Sequence, residues 1–544
     1  MSKGRRRQVA QLARWLFLGV GALLTWLAVV APADFSRLSP TDLVRVPVEG
    51  VLAVVLFAVL PRRLGSAAAT VVGVLLALVL VLDGLDSGFL LTLGRPVRPA
   101  SDWSYLGSAF GLLADSVGRA AAIAIVALAC AALATVFVLI PLSVRRIQLA
   151  VRRRPPVVLK ASGVVALAWI AAALLGVRLG AGPPVASASA TALVDGHVRE
   201  LVADLKDRAV FAKELRVDPY ASATGSSLLG GLRGKDVLVV FVESYGRVAV
   251  QDSSIADGVD ATLAQATTGL RRAGYDSRSA FLTSPTFGGI SWLAHSTLQS
   301  GVWVDSQERY NTLLDTNRLT LSVAFQRAGW RTVDDVPSNR TAWPPGTLFY
   351  HYDHVYDTNN VGYAGPKFGY APMPDQYVLD AFRRNELTPG PRRPVMAELD
   401  LVSSHSPWAP LPRQVPWGSV GDGSVFDPMP AQGSSAARVW TTPQGIRAAY
   451  EQSVQYTLAT LASFVETSTD PNLVLVVLGD HQPATVVSGH GAGHDVPVSI
   501  VARDPAVLAR ISGWGWQRGL LPSPTAPVWR MDTFRNRFLS AYSR

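Results

Sequence analysis

DVLVVFVES (residues 236–244) and PNLVLVVLGDH (residues 471–481) are the two stretches that decide the fold of this 544-residue chain. Each contains a continuous apolar run of strand length, which is typical of parallel strands covered on both faces by helices. Two weaker strand candidates and two helical patterns of crossover length accompany them, at residues 394–405, 496–502, 320–330 and 445–466. Strands that alternate with helices predict an α/β domain with a mostly parallel, doubly wound sheet.

The N-terminal third of the chain is apolar enough to lie in a membrane. With 49% hydrophobic and 17% charged residues, the chain is too apolar to be wholly soluble. Five apolar blocks are each near the roughly 20 residues that a helix needs to cross hydrocarbon. We predict membrane spans at residues 15–31, 43–60, 67–82, 120–142 and 157–177. Pro47 and Glu49 interrupt the second block, so a buried hairpin is its alternative, and a cleaved signal peptide is the alternative for the first.

Basic residues mark one side of these spans. They precede the first span and separate the second from the third and the fourth from the fifth: Lys3, Arg5, Arg6, Arg7, Arg62, Arg63, Arg145, Arg146, Arg152, Arg153 and Arg154. By the positive-inside rule that side is cytoplasmic if all five blocks cross. We therefore expect a multi-pass protein of the cell membrane, in which residues 83–118 and everything after residue 177 are extracytoplasmic.

The same patterns divide the chain into three parts. We predict a transmembrane domain at residues 1–178, a linker with an amphipathic helix at residues 179–234, and an extracytoplasmic α/β domain at residues 235–544. Much of the net charge of +10 lies in the short cytoplasmic loops, where topology explains it, so no nucleic-acid partner is expected. The single cysteine, Cys130, excludes a disulfide framework. Arginine greatly outnumbers lysine, which hints at a GC-rich bacterial genome.

Candidate metal ligands follow the two strongest strands. Glu243 comes at the end of the first apolar run, and Asp480 and His481 come at the end of the second. Ligands bind at the carboxyl ends of the strands in open α/β sheets. Carboxylates next to buried strands are costly to leave unpaired, and a divalent cation is one standard partner. A helix cap or a salt bridge is the alternative for each residue alone, and two such strand ends favour the metal.

A hydroxyl is the fourth ligand we expect if the metal supports transfer of an anionic group. SPTFGGISWLAHSTLQSG (residues 284–301) supplies several candidates. Its TFGG segment predicts a turn, and SWLAHSTLQSG predicts a helix that ends at Gly301. Ser291 then lies at or near the helix N-terminus, where N–H groups and the helix dipole favour an alkoxide and a bound phosphate. Position therefore favours Ser291 over Thr286, which remains the alternative.

The order of these residues resembles the alkaline phosphatase superfamily, and more closely its sulfatase-like branch of lipoteichoic acid synthases and other membrane phosphoglycerol transferases. Those proteins also have five spans followed by an extracytoplasmic catalytic domain, so the resemblance covers nearly the whole chain. The family helix runs from the nucleophile to a small hydroxylated residue and a glycine, as here from Ser291 to Ser300 and Gly301. That spacing does not fit Thr286. The resemblance implies four metal ligands: Glu243, Ser291, Asp480 and His481.

The resemblance also implies a cofactor and substrate-binding residues. The cofactor would be one divalent metal ion, with Mn²⁺ first and Zn²⁺ or Mg²⁺ as alternatives. His405, in VSSHSPW, is similar to a histidine that binds the substrate phosphate in the transferases. His494, in GHGAGHDVPVSIVA, lies near the place of a histidine that contacts the substrate or a second metal in relatives, and His490 is its rival.

This chain departs from the pattern of the family in three places. Transferases of this group commonly use Thr where Ser291 stands. Those transferases have a basic residue two positions after a tryptophan. The corresponding position after Trp343 is occupied by Pro345, so we expect Arg340 to take the place of that basic residue in a substrate site that includes Trp343. Sulfatases proper have Cys/Ser-x-Pro-x-Arg, whereas the stretch SWLAH has neither the proline nor the arginine. Sulfate-ester hydrolysis is therefore the less favoured activity.

Five other polar residues have weaker assignments. His351 and His354, in FYHYDHVYD, have metal-like spacing, but a solvated tyrosine-rich loop is the favoured explanation. Asp334 and Asp335 are expected to be turn residues. His295 lies one helical turn after Ser291 and either faces the same site or packs against the protein.

Together these features predict a membrane-anchored, metal-dependent phosphotransferase or phosphodiesterase that acts on lipid or glycan phosphate esters of the cell envelope through a phospho-serine. Its expected partners are a membrane lipid or lipid-linked glycan substrate and the bilayer. The alternatives are a sulfuric ester hydrolase or a phosphoethanolamine transferase of the same superfamily. Since many phosphoethanolamine transferases look disulfide-rich, the lack of extracytoplasmic cysteine counts against the latter. A non-catalytic envelope binding or scaffold protein is the alternative from another class.

Overall fold

The computed structural model describes residues 16, 19–30, 35, 38–180, 182–252, 254–388 and 390–543. The chain forms two compact units. The first comprises Met1–Leu90, Arg95–Trp103 and Gly118–Lys206. The second comprises Leu91–Gly94, Ser104–Val117 and Asp207–Arg544. The domain boundaries expected from the sequence remain a prediction.

Seven helices occupy the described chain before residue 217. They are α1 (Gly19–Val30), α2 (Val48–Val59), α3 (Arg62–Leu93), α4 (Leu106–Val117), α5 (Arg119–Val151), α6 (Pro155–Leu174) and α7 (Ser189–Arg216). Two short parallel strands, β1 (Val46–Pro47) and β2 (Ala186–Ser187), pair with each other. Helix α7 lies within the predicted linker, where we expect an amphipathic helix.

The structure corrects the number of membrane-length helices. Among the described residues, three helices are long and apolar enough to cross a membrane: α3, α5 and α6. The predicted second span is only the 12-residue α2, which at 1.5 Å per residue reaches about 18 Å of a core of about 30 Å. Pro47 precedes this helix, and Pro61 follows its C-cap residue Leu60, which is extended as residues before proline usually are. The first predicted span lies partly outside the described residues, and the orientation remains a prediction.

The described residues of the second unit form nine strands and thirteen further helices. The strands are β3 (Asp236–Val242), β4 (Asp276–Thr283), β5 (Arg331–Val336), β6 (His354–Asp357), β7 (Val395–Leu401), β8 (Leu473–Gly479), β9 (Asp495–Ala502), β10 (Gln517–Arg518) and β11 (Val528–Arg530). The helices are α8 (Val248–Gln251), α9 (Ala256–Arg272), α10 (Ser291–Ser300), α11 (Gln307–Leu314), α12 (Leu321–Arg327), α13 (Pro344–Leu348), α14 (Asp375–Phe382), α15 (Met429–Gln432), α16 (Ala436–Val439), α17 (Pro443–Glu466), α18 (Thr485–Ser488), α19 (Pro505–Ala509) and α20 (Phe534–Tyr542).

The nine strands form one mixed sheet. Their order is β10-β4-β9-β8-β3-β7-β5-β6, and β11 also pairs with β4. The centre, from β8 through β3 and β7 to β5 and β6, is parallel, whereas β9 pairs antiparallel with both β8 and β4. The predicted α/β domain with a mostly parallel sheet is therefore confirmed, with an antiparallel edge in addition.

Alternate residues of the central strands bury opposite faces of the sheet, as a period of two requires. Leu238, Val240 and Val242 of β3 belong to one hydrophobic cluster, which includes side chains of α9 and α17. Val237 and Phe241 belong to the other, which includes side chains of α10 and α12. Because helices cover both faces, β8 and the part of β3 after Asp236 contain no polar side chain, which explains why their sequences were easy to recognise.

Candidate metal centre

The candidate centre begins where two neighbouring strands end. Strands β3 and β8 are parallel partners, and Val242 at the end of β3 pairs with Gly479 at the end of β8. The next residues are therefore brought together at one edge of the sheet, as we expect for parallel strands. They are Glu243, Asp480 and His481, and all three are buried.

The side chains of these residues converge with Ser291. The Ser291 hydroxyl donates to Glu243 Oε2 at 3.1 Å and lies 3.2 Å from His481 Nε2. His481 Nε2 lies 3.4 Å from Glu243 Oε1 and 3.3 Å from Asp480 Oδ2. The four residues that the sequence selects as metal ligands thus form one compact group, and their role as ligands remains a prediction.

A tight turn delivers Ser291 to this group. Gly288, Gly289 and Ile290 all have positive φ, at 69°, 158° and 65°, and α10 begins at the next residue, Ser291. Glycine adopts such angles without the steric cost that a side chain adds. The helix ends at Ser300, and Gly301 follows in the left-handed conformation. Ser291 is therefore the first residue of the helix, in the turn whose N–H groups have no partner four residues earlier within the helix.

The rival hydroxyl, that of Thr286, is used inside the turn. Thr286 Oγ1 donates to the carbonyl of Gly289 at 2.6 Å, so it braces the loop that positions Ser291. The turn is also tied to the segment after His481, because the N–H of Gly288 donates to the carbonyl of Gln482 at 2.8 Å. The structure thus brings Ser291, and not Thr286, to the three charged residues.

Hydrogen bonds around the centre fix which atoms face it. His481 Nδ1 lies 2.8 Å from the carbonyl of Gln482, so Nδ1 keeps its proton and Nε2 is the nitrogen that would present its lone pair to a cation bound at the centre. Asp480 Oδ1 accepts from the backbone N–H groups of Ser244 and His481 at 2.7 and 2.8 Å. Asp480 Oδ2 is buried and has no hydrogen-bond partner among the described residues. An unpartnered buried oxygen in such a group suits a bound cation.

The charges of the centre also call for a cation. Burial raises the pKa of Asp480 to about 6, and the neighbouring Glu243 adds to the effect. Burial alone would lower the pKa of His481, but Asp480 and Glu243 raise it to about 9. Burial alone would raise the pKa of Glu243, but His405 and His481 lower it. The protein therefore balances two carboxylates with a proton, a role that a divalent metal ion fills when it binds.

The close approach of the two strand ends supplies a test of the centre. A Cβ atom at Gly479 would lie 1.9 Å from the backbone carbonyl oxygen of Tyr245, which cannot rotate away. We expect Gly479→Ala to force the strand ends apart, to destabilise the protein by about 1–3 kcal/mol and to weaken Mn²⁺ binding at least about tenfold. Calorimetric titration with Mn²⁺ and thermal unfolding measure the two effects.

Gly418→Ala is the matched control, because a Cβ atom there meets no atom within 4 Å. An Mn²⁺ affinity in Gly479→Ala equal to that of the control would contradict the assignment of the centre.

Two of the predicted substrate-binding histidines lie near the centre. His405 is close enough to Glu243 and His481 for their charges to act on its imidazole, and its ring stacks on Tyr370 with centroids 3.6 Å apart. The charge of His481 also acts on His494, whose ring centroid lies 5.5 Å from that of Phe287. Burial is the main reason that the pKa of both His405 and His494 is lowered, so both are neutral at pH 7.

The other two predicted substrate residues have contacts elsewhere. Trp343 stacks on Tyr350 with centroids 5.5 Å apart and packs against the hydrophobic cluster on the α10 side of the sheet. Arg340 is exposed, and its carbonyl accepts from Asn359 at 3.1 Å. No contact described for either of them joins it to the four candidate ligands, and their role in substrate binding remains a prediction.

Sequence reasoning missed a row of buried acids beside the centre. Asp334 and Asp335, expected at a turn, lie in strand β5 and are 2% and 1% exposed. Glu398 and Asp400 alternate with leucine in β7, a period-two signal that both project from one face. His295 faces this row, because its Nδ1 lies 2.9 Å from Glu398 Oε1 and its ring stacks on Phe241. The open question about His295 is thus resolved in favour of contacts with the acids.

Comparisons with known proteins give likenesses in structure alone. No family model matches the chain, and no curated protein matches it. The lipoteichoic acid synthase LtaP from Listeria monocytogenes is 14% identical, and the match covers 57% of this chain and 73% of that one, with a TM-score of 0.34. The C-terminal periplasmic domain of EcEptC from Escherichia coli is 14% identical, with 57% and 82% covered and a TM-score of 0.36.

A third solved structure is that of the phosphoglycerol transferase GacH from Streptococcus pyogenes in complex with sn-glycerol-1-phosphate. It is 12% identical, and the match covers 62% of this chain and 91% of that one, with a TM-score of 0.36. The structures to which this chain is similar thus include the class of proteins that the sequence resembles.

Proposed function

We propose that this chain is a membrane-anchored, metal-dependent phosphotransferase or phosphodiesterase. Its substrates would be lipid or lipid-linked glycan phosphate esters of the cell envelope, of the phosphoglycerol type. The metal ligands would be Glu243, Ser291, Asp480 and His481, and Mn²⁺ is the cation we favour. The reaction would pass through a phosphoryl group held on Ser291.

One observation carries the proposal. The Ser291 hydroxyl lies at the start of α10, within hydrogen-bonding distance of both Glu243 and His481. Serine and threonine hydroxyls on the surface of a protein need no such partners, and a buried carboxylate beside an imidazole is costly to maintain without a purpose. A hydroxyl between metal-ligating groups and helix N–H donors is the arrangement expected of a nucleophile that attacks an anionic ester.

The first half of the reaction follows from this geometry. A divalent cation bound at the centre would lower the pKa of the Ser291 hydroxyl and neutralise charge on the phosphoryl oxygens. Ser291 Oγ attacks the phosphorus and forms an O–P bond, and the ester bond from phosphorus to the leaving oxygen breaks. The hydroxyl proton of Ser291 ends on the leaving oxygen, so a neutral alcohol departs. The N-terminal N–H groups of α10 face the phosphoryl oxygens and stabilise their charge.

The second half transfers the phosphoryl group onward. The hydroxyl of an acceptor alcohol or a water molecule attacks the phosphorus, the O–P bond to Ser291 breaks, and Ser291 regains a proton. His405 would relay that proton, since its Nδ1 lies 2.5 Å from the carbonyl of Ser406 and its Nε2 is therefore the unprotonated nitrogen of the neutral ring. The neutral state of His405, caused chiefly by burial, suits a proton acceptor.

The membrane-length helices support the choice of substrate class. Three apolar helices in the same chain hold the α/β domain to a bilayer if they cross it. An enzyme fixed to the bilayer gains most when its substrate is also confined there, because both then share a thin layer and not the whole volume.

The test is a head-group transfer assay with the full-length chain in lipid vesicles that contain Mn²⁺. The vesicles carry a phosphoglycerol lipid labelled in its head group, with and without an added glycan acceptor. We expect the label to appear on the peptide that contains Ser291 after an acid quench, and then on the acceptor or in water. A protein with its full metal content that never acquires label from any such lipid would overturn the proposal.

A further inference from the structure

We propose that His295, Asp334, Glu398 and Asp400 form a second divalent-cation site, separate from the one that contains Ser291. This inference goes beyond the proposed function and does not depend on it. Atoms of His295, Glu398 and Asp400 that can each ligate a metal all lie within 4.8 Å of one another. Helix α10 supplies His295, strand β5 supplies Asp334, and strand β7 supplies Glu398 and Asp400.

The sheet places the three carboxylates on the same face. Asp334 of β5 pairs in register with Glu398 of β7, so their side chains project from the same side. Asp400 lies two residues further along β7 and shares that side, as does Phe241 of β3, which pairs with Asp400. The ring of His295 stacks on Phe241 at a centroid distance of 3.7 Å, so helix α10 presents its imidazole to the carboxylates.

The ligand atoms of His295, Glu398 and Asp400 lie close together. His295 Nδ1 lies 2.9 Å from Glu398 Oε1 and 3.5 Å from Asp400 Oδ1. The other oxygen of Glu398, Oε2, accepts from the side chains of Gln299 and Tyr352. These two donors orient the carboxylate and leave Oε1 directed at His295, which is how outer partners usually hold a metal ligand.

Two observations show that this group lacks a balancing charge. Asp334 is 2% exposed, and the charged groups that act on it are all carboxylates: Glu398, Asp400 and Asp335. Asp400 Oδ1 is fully buried and has no hydrogen-bond partner among the described residues. When all three carboxylates are ionised they carry three negative charges, and protonated His295 supplies one positive charge at most. A single divalent cation would balance the remainder.

The group also has an opening and a suitable chemistry. The side chains of His295 and Asp400 are 15% and 16% exposed, so a cation can enter from their side, whereas Glu398 is 5% exposed. Three oxygens and one imidazole suit Mn²⁺ or Mg²⁺ better than a thiolate-seeking metal. Because His295 is one turn along α10 from Ser291, a cation here would also fix the helix that carries the nucleophile.

The experiment counts manganese in the full-length protein purified in detergent. The protein is stripped with a chelator, equilibrated with MnCl₂, freed of unbound metal and analysed by mass spectrometry for manganese. We expect about two Mn²⁺ per chain in the parent and about one in Asp400→Asn. Asp480→Asn, which changes a predicted ligand of the Ser291 centre and none of the second site, is also expected to retain about one. The variant that combines both substitutions is expected to bind almost none.

Asp335→Asn is the matched control. Asp335 is equally buried and adjacent to Asp334, but it pairs with Leu399, which belongs to the hydrophobic cluster on the opposite face. We expect this variant to keep two ions. Circular dichroism of each variant checks that a loss of bound Mn²⁺ is not caused by loss of the fold. His295→Gln, at the partly exposed side of the group, is a second substitution with the same purpose.

An Asp400→Asn variant that binds as many Mn²⁺ ions per chain as the parent protein would overturn the second site. So would a folded Asp400→Asn variant that binds none when the parent binds two, because the two sites would then not be separate. Failure of head-group transfer with two ions bound would count against the proposed function alone.

Discussion

Ser291→Ala is expected to abolish phosphoryl transfer, with a fall in kcat of at least about 10³-fold. The substitution removes the attacking oxygen, and no other described hydroxyl contacts both Glu243 and His481 as that of Ser291 does. Thr286 is not a replacement, because its hydroxyl already donates to the carbonyl of Gly289. The measurements are release of labelled head group and the mass of the Ser291 peptide after an acid quench.

Two variants make this result specific. Ser300→Ala removes a hydroxyl from the far end of the same helix, where it donates only to the carbonyl of Ser296, and should leave kcat within about threefold. Ser291→Thr keeps the nucleophilic oxygen and should keep measurable phosphoenzyme. Near-parental turnover in Ser291→Ala, with label on no residue, would mean that water is activated directly and that Ser291 is not the nucleophile.

Asp480→Asn is expected to lower affinity for Mn²⁺ at the Ser291 centre at least about 100-fold. The amide has nearly the same shape, but it removes one of two carboxylate charges and replaces one oxygen with an NH₂ group that repels a cation. Asp480 Oδ2 is buried and makes no hydrogen bond among the described residues, so no hydrogen bond compensates for the loss of its interaction with the cation. Calorimetric titration of the stripped, full-length variant gives the affinity, and turnover is expected to fall in parallel.

Asp375→Asn is the matched control for a buried aspartate. Asp375 is fully buried, and its carboxylate accepts from the backbone N–H of Ser403 and the hydroxyl of Thr457. Its substitution should reduce stability by about 1–3 kcal/mol without a specific change in Mn²⁺ affinity. If both variants lose metal to the same extent, metal loss reports general unfolding and the assignment of Asp480 fails.

The sequence was most informative where a single physical rule fixes both structure and chemistry. Strands β3 and β8 were recognisable because burial on both faces gives each a continuous apolar run, and the ligand candidates stood out as the first charged residues after those runs. Ser291 was recognisable because two glycines before a helical pattern indicate a turn that ends at a helix start. Each of these inferences depends on neighbours in the sequence.

The sequence was least informative where distant elements decide the outcome. Asp334 and Asp335 look like turn residues because buried strands rarely contain adjacent acids, and only the pairing of β5 with β7 explains their burial. The same pairing creates the acidic row that faces His295. The short helix α2 was predicted to span the membrane because apolar composition alone does not show where proline ends a helix.

The pairing of β3 with β8 has a consequence for how the protein is made. The N–H of Ser244 donates to Asp480 across 236 positions of the chain, and the four strands between β3 and β8 in sequence occupy other places in the sheet. Contacts this distant form late, because the entropy of closing a long loop is lost before they are gained. A nascent chain therefore emerges with the first ligand, Glu243, long before it has the last two. We expect Mn²⁺ to be acquired only after synthesis has passed β8, by a domain that is already nearly folded.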